Sequence, residues 1–290
     1  MISNSSYTQL KALIQLLDDP DVNVYENVHG KLVSLGKPVI PILETEWELS
    51  GRNQIQERIE VIIDEIEFET GKEALQSWVL GNTSDLLEGV LLANSFQYPH
   101  TDKCLISDVV EKLRKDVWIE LNENLTSLEK VRVINHLVYD VYHFKPDSKY
   151  HYSYHSYFVN YLFDHLKGSP MALGILYKHL ADLLELPIVG LNLPYHFILG
   201  YQDVNNDTEN EMLFYINPFS KGAVFGRGEL ERYIEKAGIN MHFSELKPIS
   251  NTQIVKRMLN EMKGCYQRLG KYQKLDQANA LAQLLSKGNI

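Results

Sequence analysis

The sequence predicts an α+β protein that is predominantly helical and has one small antiparallel sheet in its second half. Apolar residues recur at three- and four-residue steps through about the first 140 residues and again after Pro248, which is the spacing of helices buried on one face. Between residues 188 and 225 the spacing changes to two, which is typical of strands. We therefore expect helical regions before and after a single strand-rich region.

The composition is that of a globular protein, since 44% of the 290 residues are hydrophobic and 23% are charged. No run of about 18 consecutive apolar residues occurs, and neither end reads as a secretory or lipidation signal. We therefore expect a cytoplasmic protein without a membrane partner. Cys104 and Cys265 stand in apolar surroundings far apart in the chain, so we expect reduced thiols packed as small hydrophobes rather than a disulfide.

The formal charge of −10 is concentrated in the first third of the chain. Residues 1–100 contain 6 Lys and Arg against 16 Asp and Glu, whereas the remaining 190 residues contain 22 of each kind. Acidic helices repel a phosphate backbone, and nucleic-acid binding draws most of its affinity from cations, so we expect no nucleic-acid partner. A protein partner with a basic surface is the better expectation for this region.

The first predicted domain, residues 1–80, consists of antiparallel helix pairs. Leu10, Ile14 and Leu17 lie on one helix face, and the chain then breaks at Asp19-Pro20-Asp21. The stretch from 16 to 43 resembles a HEAT-type repeat, although an ordinary helical bundle explains the same pattern. A helical connector is predicted at residues 81–145, with Ser127 as the N-cap of its last helix.

Residues 146–247 are predicted to form an α+β core. It opens with an irregular stretch rich in Tyr and His, continues with a short helix from about Ser156, and then forms a buried helix from Pro170 to Leu186. Strands are expected at 188–193, 196–201, 213–219 and 223–225.

The chain returns to helix at residues 248–290, which are predicted to form a C-terminal helical hairpin. Asn251 is the expected N-cap of its first helix, and Gly270 is the expected residue just beyond that helix. The hairpin resembles half of a tetratricopeptide array. Two helices are too few for a groove of their own, so we expect them to cap the core, with a peptide-binding tail as the alternative.

Four short motifs occur in order in the core: SYF at 156–158, GSPM at 168–171, GLNLPYHF at 190–197 and INPF at 216–219. Their order resembles the SirB-type branch of the transglutaminase-like superfamily, over roughly residues 84–270. The resemblance implies a papain-like core in which a Cys at the start of the central helix, a His and an Asp or Asn form a triad. By position, Pro170 stands at the Cys, His196 at the His and Asn217 at the acid.

Pro170 has no nucleophilic atom, so the leading hypothesis is a non-catalytic protein that acts in binding or scaffolding. A β-ladder that places Tyr201 opposite Met212 would also place His196 opposite Asn217. The vestigial cleft could then bind a small polar ligand or a peptide. The expected ligand-binding residues are Gly168, Ser169, Tyr157, Asn192, Tyr195, His196 and Asn217.

The alternative hypothesis is a serine-dependent hydrolase or acyl-transfer enzyme that uses Ser169, His196 and Asn217. Ser followed by Pro is, however, the ordinary start of a helix. The histidines also allow a metal hypothesis, but the stretch around them lacks the carboxylates and thiols that complete zinc sites, so we expect neither a metal nor another cofactor. The histidines concerned are His143, His151, His155, His165 and His179.

Overall fold

The computed structural model describes residues 4–81, 83–194, 196–203 and 211–287. It confirms the predicted fold class, because helices dominate and the strands form a small antiparallel sheet. The chain divides into two compact units, Met1–Leu75 with Ser95–Pro99 and Gln76–Asn94 with His100–Ile290. The four predicted domain ranges stay predictions. No helix within the described ranges is long and apolar enough to cross a membrane.

The first unit contains the predicted run of helices. Asp21 caps the second of them, since its carboxylate accepts a hydrogen bond from the Asn23 N–H at 2.9 Å. Leucine and isoleucine side chains from all four helices meet in one core, as the apolar spacing predicts. The helices are α1 (Asn4–Gln15), α2 (Val22–Ser34), α3 (Ile40–Leu49) and α4 (Asn53–Leu80), and residues 76–80 of α4 belong to the second unit.

The helices of the second unit include one that the sequence analysis did not predict, α10. They are α5 (Leu86–Asn94), α6 (Lys103–Glu120), α7 (Ser127–Asn135), α8 (Val159–His165), α9 (Pro170–Leu183), α10 (Arg227–Lys236), α11 (Asn251–Arg268) and α12 (Tyr272–Lys287). A π-helical segment, His136–Val141, extends α7. Gly270 has a φ of 67° and follows α11 as predicted.

Two predicted helix caps are wrong by one residue. Thr126, not Ser127, caps α7, and Ser250, not Asn251, caps α11. In both cases the true cap is the residue three positions before a Glu or Gln whose side chain bonds back to it, which is the capping-box arrangement. The Asn251 amide instead donates hydrogen bonds to the carbonyls of residues Thr83 and Ser84.

Among the described residues, the main sheet has five antiparallel strands in the order β6-β5-β4-β3-β7. The four predicted strands are present, and a two-residue strand at the edge is additional. A separate parallel pair of two-residue strands precedes the central helix. The strands are β1 (Lys145–Pro146), β2 (Lys167–Gly168), β3 (Ile188–Leu193), β4 (His196–Gln202), β5 (Met212–Asn217), β6 (Ala223–Phe225) and β7 (Pro248–Ile249).

The predicted register between β4 and β5 is wrong by two residues. Tyr201 lies opposite Phe214, and a bulge next to it brings Gln202 opposite Met212. His196 is therefore not opposite Asn217. A shift of two residues leaves every side chain on its own face of the sheet, so the apolar pattern cannot distinguish the two registers.

The two faces of the sheet are covered by different helices. On one face, Phe197 packs directly on Gly174 of α9 and contacts Gly190. On the other, Ile198 belongs to a cluster with Leu230 of α10. Because successive residues of a strand point to opposite faces, His196 lies on the same face as Ile198. We call these the α9 face and the α10 face.

We expect Gly174→Ala to lower the free energy of unfolding by about 1–3 kcal/mol, the usual cost of overpacking a core. An added Cβ would collide with the Phe197 ring. Gly228→Ala in α10 is the control, since nothing lies within 4 Å of its added Cβ, and it should be neutral or slightly stabilising. Urea unfolding followed by circular dichroism measures both variants. Equal stability of the two would contradict the packing of Phe197 against α9.

Candidate functional site

The start of α9, where the superfamily's nucleophile is expected, is a closed helix end. The Ser169 side-chain oxygen accepts a hydrogen bond from the Ala172 N–H at 3.2 Å, and Pro170 occupies the first helical position. Both residues are buried, and Ser169 is 0% exposed. This is the ordinary Ser-Pro start that the sequence predicts. The Ser169 hydroxyl oxygen is therefore used in capping α9.

Residues 145–157 tie down this helix end through main-chain hydrogen bonds. The Asp147 N–H donates to the Gly168 carbonyl at 2.9 Å, and the Ser169 N–H donates to the Ser156 carbonyl at 2.8 Å. The buried Asp147 carboxylate accepts hydrogen bonds from the Ser156 hydroxyl at 2.5 Å and from the Lys149 N–H at 3.0 Å. These contacts fix the Tyr- and His-rich stretch against Gly168 and Ser169.

His196 lies on the α10 face, in a cavity of about 260 Å³. A hydrogen bond joins its Nε2 to the Tyr233 hydroxyl, and the two rings meet edge to face at 5.2 Å. Partial burial, and to a lesser degree the charge of Arg257, lower the pKa of His196 below its ordinary 6.5. The imidazole is therefore neutral at neutral pH. The cavity is lined by Leu193, His196, Ile198, Asn217, Phe225, Glu229, Leu230 and Tyr233.

Asn217 also lines this cavity, but its side chain caps the short helical turn that follows it. Its side-chain carbonyl accepts hydrogen bonds from the Phe219 N–H at 3.0 Å and the Ser220 N–H at 3.2 Å. The ring partner of His196 is Tyr233 instead. Asn217 is therefore held by local capping and not by a papain-type contact with the imidazole.

The structure thus brings together two of the three triad positions. His196 and Asn217 line one cavity on the α10 face. Pro170 and Ser169 begin α9, which packs on the other face, and neither lines that cavity. Gly168 precedes them in β2. Tyr195, another predicted ligand-binding residue, lies outside the described residues.

The other two predicted ligand-binding residues, Tyr157 and Asn192, lie in a groove along α11. Two adjoining cavities of about 430 and 250 Å³ form it. Both are lined by Asn192, Arg257 and Asn260. The further residues of this α11 groove are Tyr150, His151, Tyr157, Pro194, Glu261 and Arg268 in the larger cavity and Ile249, Gln253 and Lys256 in the smaller one.

Arg257 anchors α11 to the end of β3. Its guanidinium donates to the Asn192 side-chain oxygen at 2.8 Å, to the Leu193 carbonyl at 3.0 Å and to the Glu261 carboxylate at 2.9 Å. Burial raises the pKa of Glu261, and the bond to Arg257 opposes that rise. All the directed contacts of this arginine are therefore structural, and they form the floor of the α11 groove.

The cysteines differ from each other. Cys265 is buried as predicted, and burial raises the pKa of its thiol despite a contact of 3.1 Å from the Arg268 guanidinium. Cys104 is exposed, so the prediction of a packed thiol is wrong there. It lies in the first turn of α6, two positions before the first buried residue, Ile106, and so falls off the buried face.

Within the described ranges, no three His, Cys, Asp or Glu side chains converge to hold a metal ion. Three of the histidines considered for such a site lie against tyrosine rings instead. The pairs are His151 with Tyr150 at 3.8 Å, His155 with Tyr154 at 4.0 Å and His165 with Tyr161 at 4.1 Å between ring centroids.

Three contributors to these sites were missed by the sequence analysis: Glu229 and Tyr233 of α10, and Arg257. A signal for α10 was present, because Gly226 followed three residues later by Glu229 matches a helix start. Leu230 and Ile234 then follow at helical spacing. No local pattern could have indicated that Arg257 contacts Asn192, 65 positions earlier.

Comparison with known proteins agrees with this architecture. A sequence profile described as "Transglutaminase-like superfamily" matches residues 104–260, more than half of the chain. The chain belongs to the transglutaminase-like superfamily. Its N-terminal unit lies outside the matched range.

Two of the curated proteins similar to this chain are both described as "UPF0162 protein". A "UPF0162 protein" of Vibrio cholerae serotype O1 is 24% identical over 193 residues, which cover 65% of this chain and 68% of that protein. A "UPF0162 protein" of Haemophilus influenzae is 24% identical over 166 residues, covering 53% and 59% respectively. The chain thus spans about six tenths to two thirds of these relatives. No solved structure matches it.

We expect Ser169→Ala to lower the free energy of unfolding by about 1 kcal/mol, because it leaves the Ala172 N–H without its cap. Ser169→Gly should lower the free energy of unfolding by only about 0.3 kcal/mol, since glycine is tolerated at N-cap positions. Urea unfolding distinguishes the two variants. A Ser169→Ala protein as stable as the wild type would show that the hydroxyl is not spent on capping.

Proposed function

We propose that this superfamily member is a non-catalytic protein of the SirB-type branch that acts in the cytoplasm by binding. The observation that carries the proposal is the start of α9, where Pro170 replaces the thiol and the Ser169 hydroxyl caps the helix. Papain-type chemistry requires a nucleophile within hydrogen-bond distance of an imidazole. Here the Nε2 atom of His196 is paired with Tyr233.

The alternative, a serine-dependent hydrolase or acyl-transfer enzyme, has less support. A serine nucleophile must reach a substrate carbonyl, whereas Ser169 is 0% exposed. The helix that it begins also packs on the α9 face, while His196 points to the α10 face. Binding requires none of these contacts, and the two clefts of the core remain open for it.

We expect a fluorophosphonate probe to leave Ser169 unmodified in the folded full-length chain, because a buried capping hydroxyl is neither accessible nor activated. Intact-mass measurement and peptide mapping give the result, and trypsin labelled in parallel shows that the probe is active. An adduct on Ser169 that is lost in His196→Ala would overturn the proposal and establish the enzyme.

We further propose that the first 80 residues form a HEAT-like surface for a basic protein partner. On α3 and α4, Trp47 is 37% exposed and its ring N–H donates to the Glu60 carboxylate at 3.0 Å. Glu44, Glu48 and Glu57 are exposed on the same two helices. An aromatic side chain within an acidic surface favours lysine- and arginine-containing segments.

Neutralising three of these acids in the full-length chain should weaken binding of a fluorescent hexalysine peptide by about tenfold, because each removed carboxylate lowers the local attraction. The variant is Glu44→Gln, Glu48→Gln and Glu57→Gln, measured by fluorescence anisotropy. A control variant with three Glu→Gln changes outside the first 80 residues has the same net charge and should bind hexalysine as tightly as the wild type does. If both triple variants bound hexalysine equally weakly, the loss would be due to net charge alone, and the proposal of a local binding surface would be wrong. The matched changes are Glu120→Gln, Glu123→Gln and Glu235→Gln.

A further inference from the structure

The α11 groove is positively charged in a chain whose formal charge is −10. Lys256, Arg257 and Arg268 line it together with a single acid, Glu261. Lys263, one turn beyond Asn260, donates a hydrogen bond to the Asn260 side chain at 2.8 Å. The groove therefore offers a local surface whose charge is opposite to that of the whole protein.

Of the three cations that line the groove, two lack a counter-charge within the described part of the chain. Arg257 neutralises Glu261 and is fully used. Arg268 donates only to neutral acceptors, the His151 carbonyl at 2.9 Å and the Cys265 sulfur at 3.1 Å. No carboxylate of the described residues pairs with Lys256. Both cations can therefore pair with a ligand.

The distance between them suits an extended chain. Lys256 and Arg268 are both on α11, where twelve residues separate their Cα atoms by about 18 Å along the helix axis. An extended peptide covers that length with about six residues. Asn192 and Asn260 lie between the two cations and can bond a peptide backbone, and the rings of residues 150 and 157 form a wall. A mixed amide, aromatic and basic groove is typical of peptide recognition.

The last two residues of β3 border the groove beyond the edge strand β7. β7 pairs only with Gly190 and Leu191, so the last two residues of β3 extend beyond it. The Leu193 carbonyl is used by Arg257, which leaves side-chain amides rather than strand addition as the main polar contacts.

We propose that the α11 groove binds an extended acidic segment of a partner protein, about six residues long, whose carboxylates pair with Lys256 and Arg268. The inference rests on the proposed binding function of the core. A nucleic acid fits less well, because it carries one charge on every nucleotide, whereas Lys256 and Arg268 stand at the two ends of the groove, twelve residues apart on α11.

The test uses end-blocked, fluorescent hexaglutamate and hexaglutamine with the full-length chain, measured by fluorescence anisotropy. We expect hexaglutamate to bind about tenfold more tightly than hexaglutamine, and the advantage to be lost in Lys256→Glu/Arg268→Glu. Lys112→Glu/Lys236→Glu makes the same charge change on other helices and should retain the advantage. Circular dichroism establishes that both double variants are folded.

Two further probes separate related ligands. Hexaglutamine with a free C-terminus tests capture of a terminal carboxylate, and a short oligothymidylate tests a phosphate backbone. The proposal is overturned if hexaglutamate binds no better than hexaglutamine, if both double variants lose binding equally, or if either further probe binds more tightly than hexaglutamate. Labelling of Ser169 by fluorophosphonate does not depend on any of these outcomes. The proposed non-catalytic function and the proposed peptide site in the α11 groove can therefore fail separately.

Discussion

The hydrogen bonds that close the N-terminus of α9 are the constraint on which the rest of the core depends. They join Gly168 and Ser169 to the segment around Asp147 and Ser156. In a papain-type enzyme the same helix end lies free beside a thiolate, which its dipole stabilises. Here the first helical residue is Pro170, and the bonds hold the tyrosine-rich stretch that forms one wall of the α11 groove.

The packing of α9 also decides where the histidine points. Phe197 fills the space above Gly174, and strand alternation then places His196 on the α10 face. Its ring pairs with Tyr233, and its lowered pKa makes it a neutral hydrogen-bonding group. The chain thus has the superfamily's domain, while Ser169 and Pro170 begin α9 on one face of the sheet and His196 lies on the other. One fold can serve several functions.

Much of this architecture was predictable because buried helices and strands have clear periods. The central helix from Pro170 and the three long strands can be predicted from the spacing of apolar residues alone. The β4–β5 register does not, since a two-residue shift preserves both faces. The short helix α10 buries only Leu230 and Ile234 and was missed. His196 and Asn217 line one cavity although they are not opposite each other in the β-ladder. The partner of His196 and the anchor Arg257 depend on tertiary contacts that no local pattern contains.

A thiol placed at the start of α9 by Pro170→Cys shows whether that helix end can hold a reactive nucleophile. Alkylation by iodoacetamide is followed by peptide mapping in the folded protein, with the exposed Cys104 as internal reference. We expect the thiol introduced at position 170 to react about a hundredfold more slowly than Cys104, because Pro170 is buried and the His196 ring is hydrogen-bonded to Tyr233 on the other face of the sheet. Alkylation faster than at Cys104, slowed by His196→Ala, would show instead that this helix end still supports a cysteine–histidine dyad.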